Sequence, residues 1–408
     1  MSARIVCGDL IIDSNEIKDI KIIEEPEVLS YAMRDMIIDV KLLRHTFDDI
    51  AEHKDDVFVL QYGRNAEMKM CIVSYKQTSK NLWEVEFGNY VSICEKHDFH
   101  GDVYDEKDSR ELVFEIFEKA GFHEGDFLVD ETIFEASPTF TGYIPYTTCK
   151  EALRQTLFVL GAMATTENGV PKIISSTNAE NKNEIPQNRT LENVKVESAN
   201  DGRYDSVNIT THNYNHYDDI KVIYDNTFRH VIKDEVHELK VVFDAPYWDL
   251  EIVGTTSTTI SSVHYTLIES SANHVVISWQ VKYGNANAYI TIRGRSYNPI
   301  TKEVIVKSEN GTQENTLQID DITLINDDNA EAIANRCLDA YSGSTQAVAK
   351  VVIGKHVIDD GVVIYDNDVN CGDIVTVPTD YQGTYTGRVI KEQYNLNGNI
   401  VIKEITVK

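Results

Sequence analysis

Helical spacing of apolar residues is confined to three stretches of this chain, and short strand-like runs fill most of the rest. The best-defined stretch lies within Thr141–Ser176. There Ala152, Leu153, Thr156, Leu157, Leu160 and Ala164 recur three and four apart, which predicts one buried helical stripe. Thr148 followed by Glu151 predicts a capping box, each side chain satisfying the other's orphan backbone N–H. Asn168-Gly169 predicts a tight reversal into a strand, because both residues tolerate positive φ. A second helix is predicted behind an Asp108 cap with Glu111 at the third position. Leu112, Val113, Ile116, Phe117 and Ala120 form its stripe and Gly121 its stop. A third starts at Asp327/Asp328, carries Ala330, Ile333, Ala334, Cys337, Leu338 and Tyr341, and stops at Gly343.

Between the helices the pattern is that of strands. Short apolar runs through Ile5–Ile23, Asp35–Leu43, Val57–Tyr62, Lys69–Tyr75 and Trp83–Phe87 are broken by turn residues such as Gly8-Asp9 and Gly63-Arg64, as in a barrel or sandwich. Residues 47–56 are polar and fit a helical turn or a loop. Residues 101–197 read as an α/β domain with two helices, closed by a polar link at 177–190. Beyond 200, Val207, Ile209 and Thr211 alternate, and Val275, Ile277, Trp279, Val281 and Tyr283 give the clearest half-buried strand. Hairpin signals follow at Asn310-Gly311 and Asn397-Gly398. Three helices among so many strands predict a β-rich α+β fold.

Composition narrows the functions. A length of 408 residues sets a prior of roughly two to four domains. The 38 Lys+Arg against 66 Asp+Glu give a net charge of −28, which repels phosphate backbones and argues against a nucleic-acid surface. The N-terminus lacks a basic segment followed by a long apolar one, so no secretory signal is expected. No apolar run approaches a membrane span of about 20 residues. Six scattered cysteines without CxxC read as small buried hydrophobes in a reducing compartment. Sequons at Asn188, Asn208 and Asn310 then carry no weight.

Candidate chemistry is sparse. Asp366, Asp368 and Asn370 sit at the first, third and fifth positions of a calcium loop, but Cys371 replaces the glycine and Val377 the closing glutamate. His212 and His216, four apart in an alternating segment, share a sheet face and would hold a metal only with a third ligand such as Asp218 or Asp219. Gly354-Lys355 imitates the end of a phosphate loop whose first glycine is Ala349. Cys149 stands at a helix N-terminus, which favours thiolate, but has no identifiable histidine partner. Asp320/Asp321 and Asp359/Asp360 are carboxylate pairs of unfixed separation. Tyr247 and Trp248, with Trp279, offer either a sugar-stacking platform or ordinary sheet-face aromatics. No catalytic, cofactor-binding or metal-binding residue is assigned, no cofactor is expected, and the chain is expected not to be an enzyme.

One resemblance organises the rest. GYIPYTTCKEALRQTLFVLGA (142–162) resembles a segment of prophage tail proteins, where it follows one like FHGDVYDEKDSRELVFEIFEKAGF (99–122). IRGRSY (292–297), NTLQIDDITLINDDNAEAIANRCLDAY (315–341), CGDIVTVPTD (371–380) and GRVIKEQYNLNGNIVIKEITV (387–407) occur there in the same order. The likeness is weakest at 1–50 and 215–285. These proteins resemble the baseplate hub of contractile phage tails and tail-like bacteriocins, and the N-terminal hub part of tail-associated proteins in long flexible tails.

The resemblance implies a homotrimeric ring with two barrel-like tube domains per subunit, so that six barrels continue a hexameric tail tube. The domain map it implies is a first barrel at 1–100, the α/β domain at 101–197, the start of a second barrel at 198–245, an inserted β domain at 246–325, and a helix with the remaining barrel at 326–408. Implied partners are a tail tube or tube-initiator protein, a spike or tip protein, and a tape-measure protein and baseplate wedge. Nucleic acid would pass only through the channel, whose lumen is expected to be acidic. Such a subunit is assembled in the bacterial cytoplasm and resides in the baseplate of a virion or particle. The chain stops at Lys408 without an appended lysozyme, peptidase or receptor-binding domain, so no enzymatic role is inherited. The alternative is a tail-tip protein that binds cell-wall carbohydrate.

Overall fold

The computed structural model describes residues 3–408 except 44, 46, 63–65, 136, 168, 177–181, 188–189, 191–193, 199–203, 309–314, 343–344, 354–355, 359–361, 365–368, 380–382 and 397–400. The turn and stop signals at Gly63-Arg64, Asn168, Asn310-Gly311, Gly343 and Asn397-Gly398 lie outside them. So do Gly354-Lys355, Asp359/Asp360, Asp366 and Asp368. The fold is 58% strand and 15% helix, a β-rich α+β architecture as the pattern predicts.

Five α-helices are described: α1 (Phe47–Glu52), α2 (Tyr90–Glu95), α3 (Ser109–Lys119), α4 (Cys149–Leu160) and α5 (Ala330–Ser342). The three longer ones are those the spacing predicts. The segment left open as helical turn or loop forms α1. α2 escapes a periodicity reading because it has one and a half turns, and four of its six residues are buried. α3 follows its cap: Asp108 accepts from the Glu111 amide at 2.9 Å.

α4 differs from expectation at both ends. Thr148 accepts from the Glu151 amide at 3.3 Å. The Glu151 carboxylate turns instead to Arg154, at 2.6 Å, and Gln155, so only half of the capping box forms. The helix stops at Gly161, whose left-handed φ of 69° costs a glycine little. Ala164 therefore belongs to the next strand, not to the helical stripe. α5 also starts differently. Asn326, not Asp327 or Asp328, accepts from the amides of Asp328 and Asn329.

One 13-stranded sheet collects strands from both ends of the chain. It runs from Lys195–Ser198 through Thr345–Ile353, Val401–Val407 and Gly383–Asn395 to Ile17–Glu24. It continues through Ile37–Leu43, Leu82–Gly88, Ala66–Ser79, Val57–Tyr62 and Arg4–Cys7 to Leu10–Ile12, and Ile374–Thr379 branches from Gly383–Asn395 and carries Lys182–Glu184. The seam between the two halves is antiparallel and sets Glu392 opposite Glu24 and Tyr394 opposite Ile22. Each half has its own apolar core, one around Trp83 and Phe87, the other around Val375 and Ile405. No closed barrel is found among the described residues, and the end strands of this sheet do not pair with each other.

The strand Ser206–Val231 pairs along nearly its whole length with Ala286–Lys307. Of the strands after residue 344, Thr345–Ile353, Ile374–Thr379, Gly383–Asn395 and Val401–Val407 join the large sheet, whereas among the described residues His356–Ile358 and Val362–Ile364 pair only with each other. The near half of this ribbon puts Val207 and Ile209 into the core that holds α3, α4 and α5. The far half joins Tyr247–Thr256 and faces a second sheet of His237–Val242, His274–Lys282 and Ser262–Ser271. The two sheets close a small sandwich over Trp279, Ile277, Ile290 and Ile292. Two continuous strands thus belong to both the helical core and the sandwich.

Candidate functional site at the junction of helical core and sandwich

The segment Phe99-His100-Gly101-Asp102 grips the tip of a sandwich hairpin. Its four side-chain environments explain the four residue types. Phe99 is buried in the helical core. The His100 Nδ1 lies 2.6 Å from Glu269 Oε1. Gly101 leaves room for the Ile144 carbonyl, which any Cβ there would overlap. Asp102 Oδ1 accepts from the Ala272 amide at 3.0 Å, inside the two-residue turn that closes the hairpin. The Gly-Tyr-Ile-Pro segment completes the grip, because Asn273 Nδ2 donates to the Tyr143 hydroxyl at 3.3 Å. On the rim, Tyr146 donates to Asp98, and Lys240 of the sandwich reaches both. The Tyr146 hydrogen bond is the main reason the Asp98 carboxyl is held below its usual range.

The residues singled out from sequence are not brought together into a site. His212 Nε2 meets the Asp320 backbone carbonyl at 3.2 Å, whereas His216 stacks on Trp248 with ring centroids 4.7 Å apart. Asp218 and Asp219 complete no metal cluster with them among the described residues. Cys149 is fully buried and burial pushes its thiol up to about 12, so the helix terminus does not make it a thiolate. Asp321 pairs with Arg154 at 2.8 Å, a structural contact. Trp279 is buried in the sandwich core beside Phe228 and His237, out of reach of any sugar. Trp248 is already covered by His216 and by the Arg295 guanidinium. Tyr247 packs edge-on against Phe243. The three rings form no shared platform.

Two further clusters had no sequence signal, because their members lie far apart in the chain. Cys7 Sγ stands 3.6 Å from His53 Nδ1, and Asp56 Oδ2 is 2.8 Å from the same nitrogen. A nucleophile–base–orienter triad uses opposite ring nitrogens. Here both partners address one, and burial, with Asp56 adding to it, raises the thiol's pKa. The second cluster is the sheet seam. Lys403 Nζ lies 2.7 Å from Glu392 Oε2 and donates to the Val369 carbonyl at 2.6 Å, all three groups being buried. Glu24, also buried, is pushed up to about 8, first by burial and then by Glu392. The Thr165 hydroxyl lies 3.1 Å from both the Cys371 carbonyl and Glu24 Oε1. It has one proton for two acceptors, so a neutral, donating Glu24 carboxyl satisfies the group.

No family model matches the chain, and no curated protein matches it. Solved structures do. A 43 kDa tail protein of prophage MuSo2 from Shewanella oneidensis is similar over 100% of this chain and 98% of its own, at TM-score 0.52 and 9% identity. The chain has the fold of that tail protein. A tail protein from Neisseria meningitidis MC58 is similar over 100% of this chain and 96% of its own, at TM-score 0.50 and 10% identity. At such identities the likeness is one of fold, carried end to end.

Proposed function

We propose that the chain is a structural subunit of a phage tail or tail-like particle, and within it the hub that joins the tail tube to the central spike or tip. The observation that carries this reading is the likeness of fold to the two tail proteins, which spans 100% of this chain. The distribution of exposed apolar residues supports an assembly role. Of 19 large hydrophobics exposed among the described residues, 14 lie between Tyr217 and Ile305, on the sandwich and its ribbon. Concentrated apolar exposure on one unit marks a surface that another molecule covers. Copies of the chain arranged as a homotrimer, with tube and spike proteins above and below, would cover it. Nothing in this reading calls for an enzyme, a cofactor or a nucleic-acid surface.

The test is assembly. Size-exclusion chromatography with light scattering is expected to give a trimer, alone or on adding spike protein, and deletion of the gene to leave particles without complete tails. A monomer that ignores tube and spike proteins, in a strain whose tails assemble without it, would sink the proposal.

A further inference from the structure

We propose that His100, Glu269 and His274 form a binding site for a divalent transition ion of the zinc class, which clasps the sandwich to the helical core. His100 comes from the strand Asp98–His100 of the helical core, and the other two flank the hairpin turn of the sandwich. A bulge interrupts the register between Leu267 and Glu269, and Glu269 is the residue turned toward His100. One ligand atom from each of the three lies within 4.8 Å of the others. A tetrahedral zinc ion with bonds of about 2.0–2.1 Å needs ligand atoms about 3.3 Å apart. His274 Nε2 and Glu269 Oε2, 3.7 Å apart, would close slightly, and His100 Nδ1, 2.6 Å from Glu269 Oε1, would give up that hydrogen bond and move apart.

The hydrogen-bond geometry points to a cation at this position. His274 is fully buried, and its Nε2 has no hydrogen-bond partner. Its Nδ1 lies 2.7 Å from Ser271 Oγ. The single Ser271 proton goes to Asn273 Oδ1 at 2.8 Å, and the Asn273 amide nitrogen donates to the Tyr143 hydroxyl at 3.3 Å. In this arrangement Ser271 accepts from His274 Nδ1–H. That places a lone pair on Nε2, 3.7 Å from the Glu269 carboxylate. Two electron-rich atoms thus face each other across a gap, one of them buried. The Ser271 bond is also the orienting contact that metal-binding histidines characteristically make through the other nitrogen. Lys119 Nζ, 3.7 Å from Glu269 Oε1, is the competing cation, on a half-exposed side chain free to move out. Two imidazoles and one carboxylate suit zinc, cobalt or nickel, with a fourth position left for water.

The experiment is titration of chelator-stripped full-length protein with Co2+ and Zn2+. One equivalent per chain is expected, with tetrahedral cobalt absorption and no thiolate charge-transfer band. That band would instead place the ion at Cys7 or Cys371 and overturn the assignment. The His100→Gln and Glu269→Gln variants are each expected to weaken binding more than tenfold while keeping the wild-type circular dichroism, as both residues are partly exposed. Added Zn2+ is expected to raise the Tm of wild type and not of either variant. Absence of stoichiometric binding to the wild type, or wild-type affinity retained in both variants, overturns the proposal.

Discussion

The helical core and the sandwich share two strands, yet they are finished in different ways. Around α4 the core is complete: Leu153, Leu157 and Phe158 are buried, and Arg154 and Gln155 spend their polar groups on Glu151, Asp321 and Thr323. The sandwich buries one layer over Trp279 and leaves Ile220, Val222, Ile260, Leu267 and Ile268 in solvent. Folding alone satisfies the first region. The second keeps a concentrated apolar surface exposed, of the kind that marks an interaction site. The sheet seam makes a third case, in which buried charge replaces apolar packing where the two halves of the chain meet.

The seam is where the largest effect is expected. Lys403→Met leaves Glu392 charged and unpaired in a buried site, and breaking a buried pair this way costs about 3–5 kcal/mol. The double variant Lys403→Met, Glu392→Leu is expected to recover much of that loss, since an apolar pair of similar volume avoids desolvation. Urea denaturation of the three proteins measures both; a double variant no better than the single would mean the pair itself supplies the stability. Leu157→Ala tests the helical core in the same assay. The residue is fully buried, and such a deletion costs about 2–5 kcal/mol. It is expected to impair particle assembly only through loss of fold.

The seam also sets a pH dependence. A carboxyl whose pKa is higher folded than unfolded keeps a proton that the unfolded chain has lost. Stability therefore falls as pH rises from its ordinary value of 4.5 to about 8, and levels off beyond. For Glu24 the slope is at most about 1.4 kcal/mol per pH unit. Asp35, pushed up to about 7 mainly by burial, adds to it in the lower part of that window. Glu24→Gln is expected to be more stable than wild type at pH 8 and to keep only the Asp35 part of the slope. Equal slopes in the two proteins would show that Glu24 is charged when folded. A smaller change is expected at the α4 cap, where Thr148→Ala removes one acceptor and costs about 1 kcal/mol.

What the sequence disclosed follows the range of each signal. Helices α3, α4 and α5 were legible because a stripe of three or more turns shows its period, and because Asp108 and Thr148 cap within three residues of their targets. α2 was not, since a helix of one and a half turns with four of its six residues buried shows no polar face. The Phe99–Asp102 and Gly142–Pro145 segments stood out as parts of a resemblance, but not what they hold. Their partners Glu269, Ala272 and Asn273 lie some 130–170 residues away, as the Asn273–Tyr143 and His100–Glu269 bonds record. The seam was hidden for the same reason: Glu24 and Glu392 meet only because strands from the two ends of the chain pair. The pair His212 and His216 was visible as a spacing, but the strand carries them to different neighbours.

The smallest expected effect on stability is the one that separates the two regions most sharply. Leu267 and Ile268 are both half-exposed because the bulge in their strand puts consecutive residues outward. Ile260, in the loop before it, is more exposed still, at 77%. Replacing Ile260 or Leu267 by Asp removes no core contact, so unfolding free energy is expected to change by no more than about 0.5 kcal/mol. If the exposed face of the sandwich is where a neighbouring subunit or spike sits, the same substitutions place a charge in an apolar interface, and trimer formation or particle assembly is expected to fail. Stability from urea denaturation and oligomeric state from light scattering, measured on one preparation, therefore distinguish the regions. Leu157→Ala loses both together, whereas the sandwich variants lose assembly alone. Sandwich variants that assemble normally would mean that this apolar surface stays in solvent and that the contrast between the two regions has no consequence for assembly.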